Sequence, residues 1–328
     1  MNMIKKGISF FSGCGGSTLG YNLAGVKILY ANEFIPKAYE TYKANFPNTY
    51  VDTRDIRTIK AQEILDIIKL KKGELDFLDG SPPCASFSTA GKRERNWGKV
   101  KKYSDTKQRT DDLFYEYIRM VKEIEPKIFI AENVSGLIQG KSKGYFNLFL
   151  KEFKKLNYNV KASLLDASYL EVPQSRKRVF IIGVRKDLKK QPSFPKKKKQ
   201  MIVKHIYEKN YPIEEEAKKV QKCYMKYLPY LKQGEQPQKT YFSLKRNHLY
   251  KPSFTITASY GKGACVMHPF EDRHMSIAEL KDICSFPQSF ILLGKYKDKA
   301  ERLGRSVPPN MMKNIVLNLK KEVFNENT

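Results

Sequence analysis

The sequence predicts an α/β protein, a helix-covered sheet with a smaller basic insertion in its second half. Three observations point there. Through Val184, short apolar runs alternate with stretches of helical spacing. A glycine-rich turn joins the first of those runs to the first helix. After Val184 the rhythm stops, and KKQPSFPKKKKQ (Lys189 to Gln200) has the proline and lysine texture of a linker or solvated loop.

The elements follow in order. ISFF (Ile8 to Phe11) reads as a strand running into SGCGGS, and STLGYNLAG continues as a helix. KILYANE (Lys27 to Glu33) is the second strand, and a helix covers Ala38 to Asn45. A short third strand ends before Asp55, and LDFLDG (Leu75 to Gly80) is a buried strand. DLFYEYIRMVKEIEP places Leu113, Tyr117, Met120, Val121 and Ile124 at helical spacing, before the strand KIFIAEN. A helix over Lys151 to Leu156 and the strand RVFIIGV (Arg178 to Val184) complete the series. Such alternation implies a parallel sheet covered on both faces. Residues 200–272 lack it, IAELKDICSF regains it, and PPNMMKNIVLNLKKEVF reads as a C-terminal helix that rejoins the first domain.

Composition narrows the class. The 328 residues suffice for one or two domains, and 41% hydrophobic content suits a folded chain. No run approaches the about 18 apolar residues of a membrane span, and MNMIKKGISFFSG turns glycine-rich too soon for a signal peptide. A soluble cytoplasmic protein is the expectation. The 61 Lys and Arg against 34 Asp and Glu give a net charge of +27, which either attracts polyanions such as nucleic acid or reflects a lysine-rich genome. Cys14, Cys84, Cys223, Cys265 and Cys284 form no CxxC pair, and the four histidines lie far apart, so neither disulfides nor metal are expected.

Chemistry gathers at the ends of the strands. FSGCGG permits a tight turn and brings backbone N–H groups to a positive helix end, though its spacing is not the dinucleotide fingerprint. Glu33 ends the second strand, where a Rossmann-like fold holds a ribose diol, and Asp55 at the next tip can accept from an adenine amino group. Taken singly, each acid is a cap or surface group. Together with the glycine loop they indicate an adenosine-bearing cofactor. In DGSPPCASFSTAGKR (Asp79 to Arg93), two prolines stiffen the approach to Cys84, which a basic cleft can hold partly as thiolate. Glu132 closes IFIAEN, where a structural role would favour an apolar side chain, and Arg176 and Arg178 of QSRKR share one face.

In this order the pieces resemble the DNA (cytosine-5)-methyltransferase family of bacteria and phages. FSGCGG is similar to its cofactor loop, NEF to its ribose and adenine clamp, SPPCASFS to its Pro-Cys motif, AENV to its Glu motif and QSRKR to its Gln-x-Arg-x-Arg motif. R-x-M-S-x-x-E-L with CSFP resembles its late motif. Gly304-Arg305-Ser306-Val307 departs from the family's Gly-Asn-Ser/Ala-Val by placing an arginine where asparagine lines the cofactor's amino-acid end.

The resemblance implies a Rossmann-like methyltransferase domain at 1–186, completed by 302–328, with a target-recognition domain at 187–272 and a hinge at 273–301. It implies Cys84 as nucleophile on carbon 6 of a flipped-out cytosine, with Glu132, Arg176 and Arg178 around the base. S-adenosyl-L-methionine would lie among Phe11, Gly13, Gly15, Gly16, Glu33, Phe34, Asp55, Ile56, Pro83, Leu113 and Ser306. Residues 85–112 resemble the family's loop that closes over DNA. Ser88, Arg93, Arg95, Trp97 and Arg109, with Thr255 and Thr257 of TIT, would touch the double-stranded DNA.

The chain is expected as a nucleoid-associated monomer of a restriction–modification system, without membrane or metal, acting beside a cognate endonuclease. A transfer-RNA cytosine-5 methyltransferase and a catalytically impaired DNA-binding relative are the alternatives. The long basic insertion argues against the first, and retention of Cys84, Glu132 and Arg178 against the second. A nicotinamide oxidoreductase would leave Pro-Pro-Cys and QSRKR unexplained.

Overall fold

The computed structural model describes residues 4–83, 101–103, 106–108, 112–140, 142–237, 243–260 and 264–326. Two compact units divide the chain. The first comprises residues 1–165, 177–195 and 312–328, and the second 166–176 and 196–311. These lines differ from the functional segments read from the sequence, because residues 166–176 and 302–311 pack with the second unit.

The first unit is a seven-stranded sheet. Its strands are β1 (Lys5–Phe10), β2 (Val26–Asn32), β3 (Tyr50–Asp52), β4 (Phe77–Gly80), β7 (Ile128–Val134), β8 (Tyr158–Asp166) and β9 (Lys177–Arg185), in the order β3-β2-β1-β4-β7-β9-β8. A separate antiparallel pair, β5 (Lys101–Tyr103) and β6 (Thr106–Gln108), lies outside it. The helices are α1 (Gly16–Leu23), α2 (Pro36–Asn45), α3 (Ala61–Ile68), α4 (Leu113–Ile124) and α5 (Ser142–Lys155).

One expectation needs correcting. The sheet is mixed, not parallel, because β9 runs antiparallel to β7, with Glu132 opposite Phe180 and Val134 opposite Arg178. The chain first visits the edge strand β8 and re-enters the sheet from the other end. The remaining pairs described, β1–β2, β1–β4, β2–β3 and β4–β7, are parallel.

The strand order reverses between β1 and β4, since β2 and β3 build outward on one side and β4 and β7 on the other. At such a switch point the loops after the two strands diverge and leave a crevice at their carboxyl ends. The glycine loop follows β1 and SPPC follows β4, so both expected motifs leave the sheet there.

Helical spacing positions the core. All five α4 residues expected on one face are buried, and Phe114 stacks on Phe149 of α5 with ring centroids 3.8 Å apart. Phe129 of β7 stacks on Phe153 at 4.4 Å. The C-terminal helix α11 (Pro309–Phe324) returns to this unit from Met312 onward, where Phe324 meets Phe77 edge-on and Lys5 lies over its ring.

The second unit carries the single-turn helices α6 (Lys204–Tyr207), α7 (Glu215–Lys218) and α8 (Lys222–Met225). It also has the parallel pair β10 (Ser243–Arg246) and β11 (Ala264–Met267), with α9 (Ile277–Ile283) and α10 (Tyr296–Arg305). Tyr224, Leu228, Leu244, Cys265 and Met267 form a small core. Arg246 and Arg273 give it a polar frame. Arg246 reaches the carbonyls of Leu228, His268 and Glu271 and pairs with Asp272, while Arg273 grips Glu279 by two bonds of 2.8 and 2.9 Å. Glu279 also closes the capping box of α9 with Ser276.

Candidate active site

The glycine loop is held from beneath. Phe11 leaves β1 with φ 54°, a strained conformation for an aromatic residue, and the chain turns sharply away from the sheet. Ser12 binds back twice, its hydroxyl to Ser9 O at 2.8 Å and its N–H to Asn32 O at 3.2 Å. Gly15 precedes α1 at φ 96°, where a Cβ would also collide with the Phe46 ring, so no other residue fits. Gly16 then opens the helix.

Glu33, one residue past β2, joins the strand to the loop. One carboxylate oxygen accepts the Gly13 N–H at 2.7 Å and the other accepts Ile35 N–H at 2.8 Å. Each oxygen keeps a second lone pair. Around Gly13 an ideal Cβ would meet nothing within 4 Å, so the loop has open space there, and Phe34 beside it is 38% exposed.

Asp55 lies three residues past β3 and caps a short turn, accepting from Arg57 N–H at 3.0 Å. Arg57 was not singled out in the sequence, yet its guanidinium bridges Asp55 at 2.7 Å and Asp112 at 2.6 Å. It thereby ties the Asp55–Ile56 turn to the start of α4, where Leu113 is buried.

The catalytic side is built on β4, β7 and β9. Ser81 N–H reaches Phe10 O at 3.4 Å, and the Asn133 side-chain amide donates to Pro82 O at 3.2 Å while its oxygen accepts Val134 N–H. The residues leading to Cys84 are thus fastened to β1 and β7, with half-buried Pro83 at their end. Glu132, 8% exposed, faces Arg178 across the β7–β9 pair with Nε to Oε1 at 3.0 Å. Burial pulls the Arg178 pKa down while Glu132 pulls it back up. A buried carboxylate held by one guanidinium can hydrogen-bond or protonate a polar ring edge.

Arg176 does not share this partner. Only 2% exposed, it belongs to the second unit, where it reaches Ile256 O at 3.0 Å and Gly304 O at 3.1 Å. The single face expected for the two arginines ends where β9 begins, at Lys177. Within that unit QSRKR begins a clamp: Gln174 accepts Ile256 N–H and donates toward Ile283 O and Cys284 Sγ, and Ser175 O accepts the Thr255 hydroxyl at 2.6 Å. Thr257 instead pairs with the Ser259 hydroxyl at 3.2 Å, toward solvent. Gly304 packs so closely on the Thr257 backbone that a Cβ would overlap it. The Ser306 hydroxyl donates to Arg302 O, and Arg305 pairs with Glu301 at 3.0 Å.

Cys84, Ser88, Arg93, Arg95, Trp97 and Arg109 lie outside the described residues. Among the described residues no group of three His, Cys, Asp or Glu could hold a metal ion, and no helix is long and apolar enough to cross a membrane. Asn133 and Gln174 stand inside motifs read from the sequence, so motif membership was their only signal. Arg57 left none.

Comparison with known proteins agrees with this geometry. The C-5 cytosine-specific DNA methylase family matches residues 5–321. The type II methyltransferase M.HindV of Haemophilus influenzae is 31% identical over 337 residues, covering 97% of this chain and 98% of that protein. M1.HphI of Haemophilus parahaemolyticus is 31% identical over 92% of this chain and 83% of that protein. The match to M.NgoPII of Neisseria gonorrhoeae is 41% identical but takes in 58% of this chain and only 51% of the relative. In fold, the Dnmt2 methyltransferase of S. pombe superposes with a TM-score of 0.69 at 16% identity, covering 97% of this chain and 98% of that one. The sheet topology, the motif-bearing strand ends and a family match across nearly the whole sequence lead to one conclusion: the chain belongs to the C-5 cytosine-specific DNA methylase family.

Proposed function

We propose that the protein methylates carbon 5 of a flipped-out cytosine within a specific duplex sequence, through a covalent bond from Cys84 to carbon 6. The observation that carries this reading is the switch point. The glycine loop, the fastened Ser81–Pro83 segment and the Glu132–Arg178 pair all lie at one edge of one sheet, on β1, β4, β7 and β9.

The cofactor side suits S-adenosyl-L-methionine, because Glu33 keeps acceptor capacity beside a glycine turn with open space at Gly13. Glu33 would hold the ribose diol, Phe11 and Phe34 the adenine faces, and Asp55 and Ile56 its edge. Gly13, Gly15 and Gly16 would leave room for the amino-acid end, with Pro83, Leu113 and Ser306 as walls. When bound, S-adenosyl-L-methionine supplies an electrophilic methyl group.

The chain's own residues do the rest. The Cys84 thiolate adds to carbon 6, a C–S bond forms, and the ring's π electrons shift to make carbon 5 nucleophilic. Glu132 holds a proton at the N3 edge so that negative charge does not accumulate, and Arg178 orients Glu132 and contacts O2. After carbon 5 has gained its methyl group it loses its proton, and the electron pair left behind expels Cys84. Arg176 acts at one remove, holding the strand segment of Thr255 and Thr257. A stacked base exposes neither carbon to this attack, so the cytosine is extruded first. Ser88, Arg93, Arg95, Trp97 and Arg109 would hold the DNA.

Residues 1–186 with 302–328 form the catalytic part in this reading, 187–272 the reader of sequence and 273–301 the hinge. The protein acts as a nucleoid-associated monomer beside a cognate endonuclease. Duplex carrying 5-fluorocytosine tests the chemistry, because fluorine cannot leave as a proton does and the Cys84 adduct persists. A crosslink that Cys84→Ser abolishes supports the reading; no crosslink at a site that bisulfite sequencing shows to be methylated overturns it.

A further inference from the structure

Behind the switch point lies a group the reaction above does not use. Asp79 is the third residue of β4, 1% exposed, and it is followed by the four residues GSPP that lead to Cys84. The Ser9 hydroxyl of β1 donates to its Oδ2 at 3.0 Å. Its Oδ1 is buried without a hydrogen-bond partner, and so are Ser17 Oγ and the Tyr21 hydroxyl on α1.

Ser17 is near enough to favour the ionised carboxylate yet outside good hydrogen-bond geometry. Tyr21, Tyr42 of α2 and Tyr117 of α4 also feel the Asp79 charge, and Glu132 of β7 opposes it. No cation is among these neighbours. An unpaired buried carboxylate is costly, and a protonated one can donate from the oxygen that lacks a partner.

We propose that Asp79 is a positioning residue that works uncharged, its carboxyl joining the first turn of α1 to the strand that leads into the cysteine loop. Ionisation removes the donor and sets a second negative charge on the side of the sheet occupied by Glu132. The start of α1, and with it the glycine loop, then loses its brace. Burial raises the Asp79 pKa to about 7, which puts this change within the working range. The inference rests on the reading of the glycine loop as the cofactor site.

The test is calorimetric binding of S-adenosyl-L-methionine to the full chain between about pH 6 and 8.5, paired with hydrogen exchange of residues 11–20 without cofactor. Wild type should lose about tenfold in affinity across that range and exchange faster in the loop as pH rises, after correction for intrinsic exchange. Asp79→Asn, neutral and of the same shape, should hold at every pH the affinity wild type shows at the acidic end. Ser17→Ala removes a group that favours ionisation and should move the midpoint upward. A purely structural role would lower stability without moving any midpoint.

Parallel profiles for wild type and Asp79→Asn would overturn the proposal. Absence of cofactor binding at every pH would refute the reading of the pocket instead, and the exchange profiles, which need no cofactor, would still decide the role of Asp79.

Discussion

The side-chain amide of Asn133 donates to the carbonyl of Pro82 at 3.2 Å, joining the end of the strand that carries Glu132 to the segment that precedes Cys84. The nucleophile's approach and the acid are therefore positioned by one contact. Asn133→Ala removes it and leaves both chemical groups in place. We expect kcat to fall by about 100-fold with cofactor affinity unchanged, since a displacement near 1 Å of a reacting group costs that much. Single-turnover kinetics with calorimetric cofactor binding separate the two, and an unchanged kcat would deny the coupling.

Glu132 and Arg178 are almost withdrawn from water, with side chains 10% and 14% exposed. Deleting one member of such a pair strands the other charge, at a cost of about 3–5 kcal/mol for a fully buried pair. Arg178→Ala should abolish methyl transfer and lower the melting temperature. Arg178→Ala combined with Glu132→Gln should recover much of that stability and none of the activity. Denaturant unfolding of the two single variants and the double variant closes the cycle.

Thr255 and Thr257 separate by partner. The Thr255 hydroxyl is committed to Ser175 O at 2.6 Å, whereas Thr257 meets only the Ser259 hydroxyl near the surface. Thr255→Val should therefore cost about 1 kcal/mol of stability from the lost hydrogen bond. Thr257→Val should leave stability within about 0.5 kcal/mol and weaken binding to target duplex. Equal effects on DNA affinity would remove the distinction.

Much of this was legible because periodicity reports burial. The α4 stripe and the apolar runs of β1, β4 and β7 need no partner to be recognised. β8 escaped notice because, at the sheet edge, its side chains are mostly half-buried and the alternation is weak. The direction of β9 was invisible for another reason: a buried strand reads the same in either orientation. At the site, acids and glycines at strand ends stood out by type. Arg176 was misread because its partners are the backbone carbonyls of Ile256 and Gly304, which leave no mark in the sequence 80 and 128 residues away.

The two units should respond to acid in opposite directions. In the first, burial raises the Asp79 pKa from 3.8 to about 7. Between those values the folded state keeps a proton that the unfolded chain has lost, so this contribution is complete below about pH 4 and is lost as pH rises through about 7. In the second unit, burial and then the charge of Lys297 lower the His274 pKa from 6.5 to about 4. There the unfolded chain takes up the proton first, so stability present above pH 6.5 is lost as pH falls through about 4. Each shift corresponds to roughly 3–4 kcal/mol at most. Asp79→Asn should raise the melting temperature over wild type at pH 8 and change it little at pH 4. His274→Phe should help at pH 4.5 and not at pH 8. If both variants shift stability equally at both ends, neither group titrates in the folded protein as its surroundings require.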